Sequence, residues 1–367
     1  MKRLTAVILA LLLCSFSIFP QSILYAAAKE GQDSLNDEVK LGERVAESVE
    51  SRWERTTDPA KVAILNMIMK KIRPLMTRDL PYEVRLIKEK SPNAFSLPGG
   101  IVYITTGMFE SAKSDDELAA VISHEMVHAD KQHVLIQMER NKKLSLVAIA
   151  VMIAGKGKAL PVIVGNLSQV AISNSYSKDL EKEADIIGIK HLFNSGFAPA
   201  GMVTLLEALA EEKIRHPWVD PGIYMDHPYI EDRISYIIEY IRSNKWPLCR
   251  KDSLNLLKTE VNADNGKVYL NIDGQQVCEG PDESAVRSVI REAKKALSSG
   301  LQLETLPYDI QVLDDSLNGY PSLYVGNTEI IRAPLPKGMT SLGIIRDNIV
   351  DILLSAKKLH PVTDFLQ

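Results

Sequence analysis

The sequence of 367 residues lacks basic clusters, abundant cysteine and long apolar segments beyond its N-terminus, and these shortages exclude several classes of protein. Its 43 lysines and arginines are outnumbered by 47 aspartates and glutamates, so no nucleic-acid partner is expected. The two apolar runs between residues 144 and 173 are each about a dozen residues long, whereas a helix needs ~20 to cross a bilayer. The last third shows no helical repeat of fixed period.

Only three cysteines occur, and Cys14 lies in the N-terminal apolar run. Cys249 and Cys278 would remain after export, and in an oxidising compartment they are a candidate disulfide. Two free thiols are the alternative. Neither residue has the neighbouring cysteine that a Cys₂His₂ zinc site requires.

The N-terminus has the pattern of a secretory signal. Two basic residues precede an apolar run from Leu4 to Phe19, and the run is followed by the small-residue pattern Ala26-x-Ala28. We expect cleavage after Ala28 and a mature protein that is periplasmic or otherwise exported. A retained membrane anchor is the alternative, because the run is only slightly short for a span.

The order of the predicted elements indicates an α+β protein with three segments. Residues 1–28 form the signal peptide, and residues 29–250 are mainly helical with a small sheet. Residues 251–367 alternate strands and helices and form a smaller α+β domain. This last segment contains no catalytic constellation, which favours a structural or protein-binding role.

The segment "AAVISHEMVHADKQHV" contains the motif H-E-x-x-H. On a helix, His124 and His128 lie one above the other and can bind one ion together. Glu125 points about 100° away, where it can reach a water on the metal without ligating it. Chance on a surface helix is the alternative, but the apolar neighbours indicate a buried helix, in which such side chains need partners.

A catalytic zinc needs a third protein ligand and an open position for water. The acidic segment "SYSKDLEKEADIIG" offers Asp179, Glu181, Glu183 and Asp185. Glu181 and Asp185 share a helix face, so one can ligate while the other orients a neighbouring ligand. A solvated acidic face is the alternative.

Four separate motifs resemble the zinc endopeptidase family that includes HtpX, BepA and the type-one CAAX prenyl endopeptidase. They are "NAFSLPGG" with "VYITTGMF", then "DDELAAVISHEMVHADKQH", "YSKDLEKEAD" and "HPYIEDRI", in the family's order between Glu38 and Ser243. The layout is most similar to that of the exported BepA-like members. The chain departs from the family in its C-terminal segment, which is unlike the helical repeats of BepA.

The resemblance implies a gluzincin-type peptidase domain with one zinc ion per chain. It assigns His124, His128 and Glu181 to the metal, Asp185 to their support and Glu125 to general-base catalysis. The remaining expected site residues are His133 as support for the ligands, Arg233 and His227 near the active site, and a substrate-binding strand with Asn93, Ala94, Phe95, Gly99 and Gly100.

Two roles are open for His227, which lies in a proline-rich loop. It can donate to the oxyanion of the tetrahedral intermediate, or it can displace the catalytic water as a fourth ligand and inhibit the resting enzyme. Arg233 and Asp185 would position it in the second case, which we favour.

The predicted function is that of an exported zinc metalloendopeptidase acting on misfolded or unassembled envelope proteins. The alternative is a chaperone or assembly factor for outer-membrane proteins that uses the same cleft mainly to bind clients. A purely structural zinc site is disfavoured, because such sites are normally closed by four protein ligands. Residues 144–173 are interpreted as buried or loop-flanking helices, and a peripheral membrane contact over the active site is the alternative.

Overall fold

The computed structural model describes residues 21–141, 160–173, 176–215, 230–314 and 319–360. It confirms the predicted α+β class. The helices are α1 Gln21–Glu50, α2 Pro59–Ile72, α3 Thr106–Ser111, α4 Asp115–Asp130, α5 His133–Arg140, α6 Leu160–Ser173, α7 Lys178–Asn194, α8 Ala200–Arg215, α9 Ile230–Ser243, α10 Arg250–Ser253, α11 Ser284–Gly300 and α12 Leu342–Leu359. The strands are β1 Glu83–Ile87, β2 Ala94–Ser96, β3 Ile101–Thr105, β4 Thr259–Asp264, β5 Lys267–Ile272, β6 Gln275–Pro281, β7 Ile310–Asp314, β8 Pro321–Val325 and β9 Thr328–Arg332.

The first half is built around α4, which packs against α7, α8, α2 and the sheet. The sheet has the order β1-β3-β2, with β1 parallel and β2 antiparallel to β3. β2 is therefore an edge strand. Nearly every residue of α4 from Glu117 to Asp130 is buried, so this helix lies within the core and not on its surface.

The second half contains two antiparallel three-stranded sheets, β4-β5-β6 and β7-β8-β9, each followed by a helix. α11 packs on β4, β5 and β9, whereas α12 packs on β6, β7 and β8. Each helix thus contacts strands of both sheets, and one hydrophobic core joins them. This core is separate from the core around α4.

The helical segment that contains the H-E-x-x-H motif consists of two helices. The Ser114 hydroxyl accepts a hydrogen bond from the Glu117 N–H and caps α4, as expected of a serine directly before a helix. The helix ends at Asp130, and Gln132 adopts a left-handed conformation with φ of 58° before α5 begins. This break turns α5 away from the axis of α4.

The candidate disulfide between Cys249 and Cys278 is not formed, since both cysteines are free. Cys278 lies on β6 opposite Leu270 and is fully buried in the second core. Cys249 immediately precedes α10 and is half-buried. The structure thus agrees with the alternative of two free thiols.

Among the described residues, no helix combines the length and apolarity needed to span a membrane. Residues 1–20 of the predicted signal lie outside the described residues, and so do residues 144–159 of the predicted membrane-contact segment. The rest of that segment is α6, which packs against α1, α5 and β2. Its inner face contributes Ile163, Leu167 and Val170 to a core, while Val162 is exposed.

Replacing Gly42 by alanine is expected to lower the free energy of unfolding by about 1–3 kcal/mol, because the added methyl overpacks the contact between α1 and the turn after β2. A Cβ at Gly42 would lie 1.9 Å from the Pro98 carbonyl oxygen. Gly165 on α6 is the matched control, with no atom within 4 Å of an added Cβ. Gly165→Ala should leave stability unchanged or raise it by up to ~1 kcal/mol. Urea unfolding compares the variants, and equal stabilities would contradict the packing argument.

Candidate metal centre

Helix α4 presents two histidines on one buried face. The Nε2 atoms of His124 and His128 are 3.0 Å apart. His128 is fully buried and His124 nearly so. The i,i+4 spacing predicted from the sequence therefore places both imidazoles at one point in the protein interior.

Helix α7 brings a carboxylate to the same point. The Glu181 oxygens lie 3.6 Å from His124 Nε2 and 3.5 Å from His128 Nε2. Gly188 of α7 lies directly beside α4, since an added Cβ would be 3.4 Å from the His124 backbone nitrogen. The Ser123 hydroxyl also donates to the Gly188 carbonyl at 2.9 Å, which joins the two helices.

The donor atoms of His124, His128 and Glu181 fit a metal ion. All three lie within 4.8 Å of one another. A tetrahedral ion with bonds of about 2.0–2.2 Å keeps its donors roughly 3.3–3.6 Å apart, close to the observed separations. Two imidazole nitrogens and one carboxylate oxygen are a donor set typical of metallopeptidases, and they leave a fourth position open.

Asp185, one turn after Glu181, supports the first histidine. Its Oδ1 lies 3.0 Å from His124 Nδ1. Arg233 on α9 donates to both carboxylate oxygens, at 2.8 Å and 2.7 Å, and the Tyr236 hydroxyl donates to Oδ2. Burial raises the pKa of Asp185, but Arg233 and His124 outweigh it and hold the pKa below its usual range. The carboxylate is thus charged and fixed in place.

His133 lies beside His128 because the chain turns at Gln132. Its Nδ1 is 2.9 Å from His128 Nδ1, and its Nε2 is 3.6 Å from Glu183. Burial lowers the pKa of His133 to about 4, so its imidazole is neutral. The location agrees with the predicted support of a ligand, although the role itself stays a prediction.

Glu125 lies next to the three donors without being one of them. It is 1% exposed. Among the described residues, neither of its carboxylate oxygens accepts a hydrogen bond of normal geometry. Burial raises its pKa to about 8, while His124 and the neighbouring Ser96 hydroxyl act in the opposite direction. A buried carboxylate without a partner is a reactive base for a water molecule or a substrate group.

The predicted substrate-binding residues fall into two groups. Ala94 and Phe95 lie on the edge strand β2, with Asn93 directly before it. The Phe95 side chain, however, faces the core and stacks on Tyr103 at 5.2 Å. Gly99 and Gly100 have φ of 85° and 93° in a buried turn.

The glycine turn packs against helix α1 and does not face the metal ligands. The Gly99 N–H donates to the Glu38 carboxylate at 3.1 Å, and an added Cβ would lie 2.8 Å from Val39 Cα. Gly99 and Gly100 thus lie in a turn on the α1 side of the sheet, and substrate binding along this strand stays a prediction. His227 lies outside the described residues.

Two further residues at the site, Ser96 and Tyr176, were not identified from the sequence. Tyr176 stacks on His128 with ring centroids 4.1 Å apart. Ser96 is fully buried beside Glu125. Strand alternation gave a signal for Ser96, because it faces the same side of β2 as Ala94, opposite to Phe95. No sequence pattern around Tyr176 indicated a role at the site, apart from its position just before α7.

An apolar cavity adjoins the metal ligands. Its polar end consists of His124, Glu125, Asp185 and Arg233. Its apolar wall consists of Met108, Ala120, Val121, Met202, Leu205, Leu206, Leu209 and Ile230. Helix α8 supplies four of these side chains, so the cavity lies between α4 and α8.

Comparison with known proteins identifies a match to the profile of Peptidase family M48 over residues 60–241. The beta-barrel assembly-enhancing protease of Escherichia coli O157:H7 is 28% identical over 211 residues, covering 55% of this chain and 43% of that protein. The mitochondrial metalloendopeptidase OMA1 of Arabidopsis thaliana is 31% identical over 132 residues, covering 36% and 26%. The metalloprotease LoiP of Escherichia coli (strain K12) is 30% identical over 160 residues, covering 43% and 62%. The chain thus spans less than two thirds of the length of each of these relatives.

Proposed function

Because residues 60–241 belong to peptidase family M48, we propose that the protein is an exported zinc metalloendopeptidase. Its proposed substrates are misfolded or unassembled envelope proteins. The family confirms the resemblance predicted from the motifs. The observation that carries the proposal is the convergence of two imidazoles and a carboxylate beside the buried Glu125 carboxyl group.

In this proposal His124, His128 and Glu181 hold the zinc ion. A bound zinc ion polarises the scissile carbonyl and lowers the pKa of water. Glu125 accepts a proton from the attacking water and later delivers it to the leaving amine. Asp185 accepts a hydrogen bond from the Nδ1–H of His124. This hydrogen bond leaves Nε2 without a proton, so its lone pair points to the metal position.

The substrate is proposed to bind as an extended strand along the outer edge of β2, beside which the described residues place no further strand. The Leu97 N–H donates to the Ile101 carbonyl and the Thr105 N–H to the Asn93 carbonyl. In an antiparallel ladder every second residue hydrogen-bonds to the same neighbour, so the backbone groups of Asn93, Phe95 and Leu97 point towards β3. The N–H and C=O of Ser96 consequently point to the outer edge, where they can pair with a peptide backbone.

The apolar cavity supports a preference for substrates with an exposed apolar side chain near the scissile bond. Its wall of methionine, leucine and valine side chains adjoins the metal ligands, so a side chain close to the scissile bond can enter it. Unfolded proteins expose such side chains, whereas folded proteins bury most of them. This supports unfolded chains as the substrate class.

A chaperone or assembly factor for outer-membrane proteins is the second candidate, with cleavage as a secondary activity. One observation favours it: the relatives include a beta-barrel assembly-enhancing protease. The N-terminal pattern supports export, and residues 144–173 are proposed as a peripheral membrane contact. We further propose that residues 29–250 form the peptidase domain and residues 251–367 an accessory domain.

Replacing Glu181 by alanine is expected to remove the metal, because two imidazoles alone are a weak site for zinc. Glu183 on the same helix is the matched control, since its side chain is 46% exposed and lies 3.6 Å from His133 Nε2. Metal analysis after dialysis should find about one zinc per chain in wild type and Glu183→Ala. A full zinc complement in Glu181→Ala would overturn the assignment of the third ligand.

A further inference from the structure

Three buried polar groups from different parts of the chain meet beside the metal ligands. Glu125 lies on α4, Ser96 on β2 and Tyr176 just before α7. Their side chains are between 0% and 3% exposed. In the described part of the chain, the Ser96 hydroxyl, the Tyr176 hydroxyl and the Glu125 oxygens make no hydrogen bond of normal geometry. Burying a polar group without a hydrogen bond costs free energy, so three such groups at one place indicate a shared function.

The backbone and the neighbouring rings fix the directions of the two hydroxyl side chains. Alternate residues of a strand face opposite sides of the sheet. Phe95 packs on the side that contacts Tyr103 and Leu41 of α1, so Ser96 points to the other side, towards α4. Tyr176 lies with its ring nearly parallel to the His128 imidazole, at an interplanar angle of 22°. Its ring also contacts the His133 ring edge-on at 6.3 Å. These contacts hold the phenol in one orientation.

The side chains of Ser96, Glu125 and Tyr176 lie close enough to interact with one another. The Ser96 hydroxyl lies beside both the Glu125 carboxylate and the Tyr176 hydroxyl. A tyrosine hydroxyl carries its proton at neutral pH, so the Tyr176 phenol can donate a hydrogen bond.

We propose that Ser96 and Tyr176 are positioning residues that orient Glu125 for its reaction, an inference that rests on the proposed function. In its ionised form, which is the form that acts as a base, the Glu125 carboxylate can only accept hydrogen bonds. The Ser96 hydroxyl therefore donates to one Glu125 oxygen. The Ser96 oxygen then accepts from the Tyr176 hydroxyl, because serine has one proton and two lone pairs. The second Glu125 oxygen stays available to the attacking water.

This arrangement couples the catalytic base to the substrate strand and to a ligand. Ser96 presents its backbone to the proposed substrate edge while its side chain contacts Glu125. Tyr176 contacts His128 with its ring while its hydroxyl faces Ser96. The base, the substrate edge and the metal ligand are thus held relative to one another by two side chains.

Tyr176→Phe and Ser96→Ala test the proposal, since each removes one hydroxyl and leaves the packing nearly intact. With labelled casein as the unfolded substrate, each is expected to lower kcat about tenfold with KM unchanged, the kinetic equivalent of one hydrogen bond. The double variant should lose no more than either single variant, because both act through the same carboxylate. Zinc content and melting temperature should stay near those of wild type.

Tyr103→Phe is the matched control, because this hydroxyl is also buried in the sheet but donates to Glu50 at 2.7 Å. Its kcat should equal that of wild type. Wild-type kcat in Tyr176→Phe, a raised KM alone or loss of zinc would overturn the proposal. A decrease of kcat by about a hundredfold in the double variant would also overturn the proposal, because it indicates two independent contacts with substrate. Activity in Glu125→Gln would instead reject the proposed function itself.

Discussion

Replacing Glu125 by glutamine is expected to lower kcat by about 10²–10⁴-fold while the zinc content stays at that of wild type. Glutamine has nearly the same shape, but its amide cannot accept the proton of the attacking water. Glu125 lies beside the three metal donors and is not one of them, so its loss should leave the ion in place. Casein cleavage and metal analysis on the same preparation measure both quantities.

Glu117 is the matched control for this experiment. It lies on the same helix, is fully buried, and accepts a hydrogen bond from the Lys113 N–H at 2.7 Å, away from the metal ligands. Glu117→Gln should keep its kcat. Loss of zinc from Glu125→Gln, or cleavage at the wild-type rate, would contradict the assigned role.

The same variant separates the two candidate functions. A Glu125→Gln protein that still supports assembly of outer-membrane proteins in cells would favour the chaperone over the peptidase. Failure of both cleavage and assembly would favour proteolysis as the main activity. The variant also retains uncleaved clients, so purification of its complexes with mass spectrometry would identify the natural substrates.

Replacing Arg250 by alanine is expected to lower the free energy of unfolding by about 3–5 kcal/mol, the usual effect of removing one partner from a buried ion pair. Arg250 is 4% exposed. Its Nε and Nη2 donate to Glu207 on α8, and its Nη1 donates to Glu304 in the second half at 2.8 Å. The guanidinium therefore connects the two halves of the protein.

Urea unfolding of the metal-free protein measures this effect without a contribution from ligand binding. Arg346 is the matched control, because its guanidinium is 43% exposed and pairs with Asp347 at the surface. Arg346→Ala should change the unfolding free energy by less than about 1 kcal/mol. Equal destabilisation by both substitutions would show that the buried network contributes no more than a surface pair.

The sequence by itself determined the features that depend on short-range periodicity. Histidines four residues apart share a helix face whatever surrounds them, so the pair His124 and His128 was readable from the motif. The cap at Ser114, the alternating strands and the α+β class also follow from local patterns, and the structure agrees with them. The acidic segment before Gly188 was likewise visible as a source of a third donor.

Only the tertiary structure decided which residues meet across the core. Spacing alone left four acidic residues open, and the packing of α7 against α4 brings Glu181 to the histidines while Glu183 stays partly exposed. It placed Ser96 and Tyr176 beside Glu125, and it separated Cys249 from Cys278. These contacts join residues far apart in the chain, so they depend on how helices and strands pack and leave no periodic trace in the sequence.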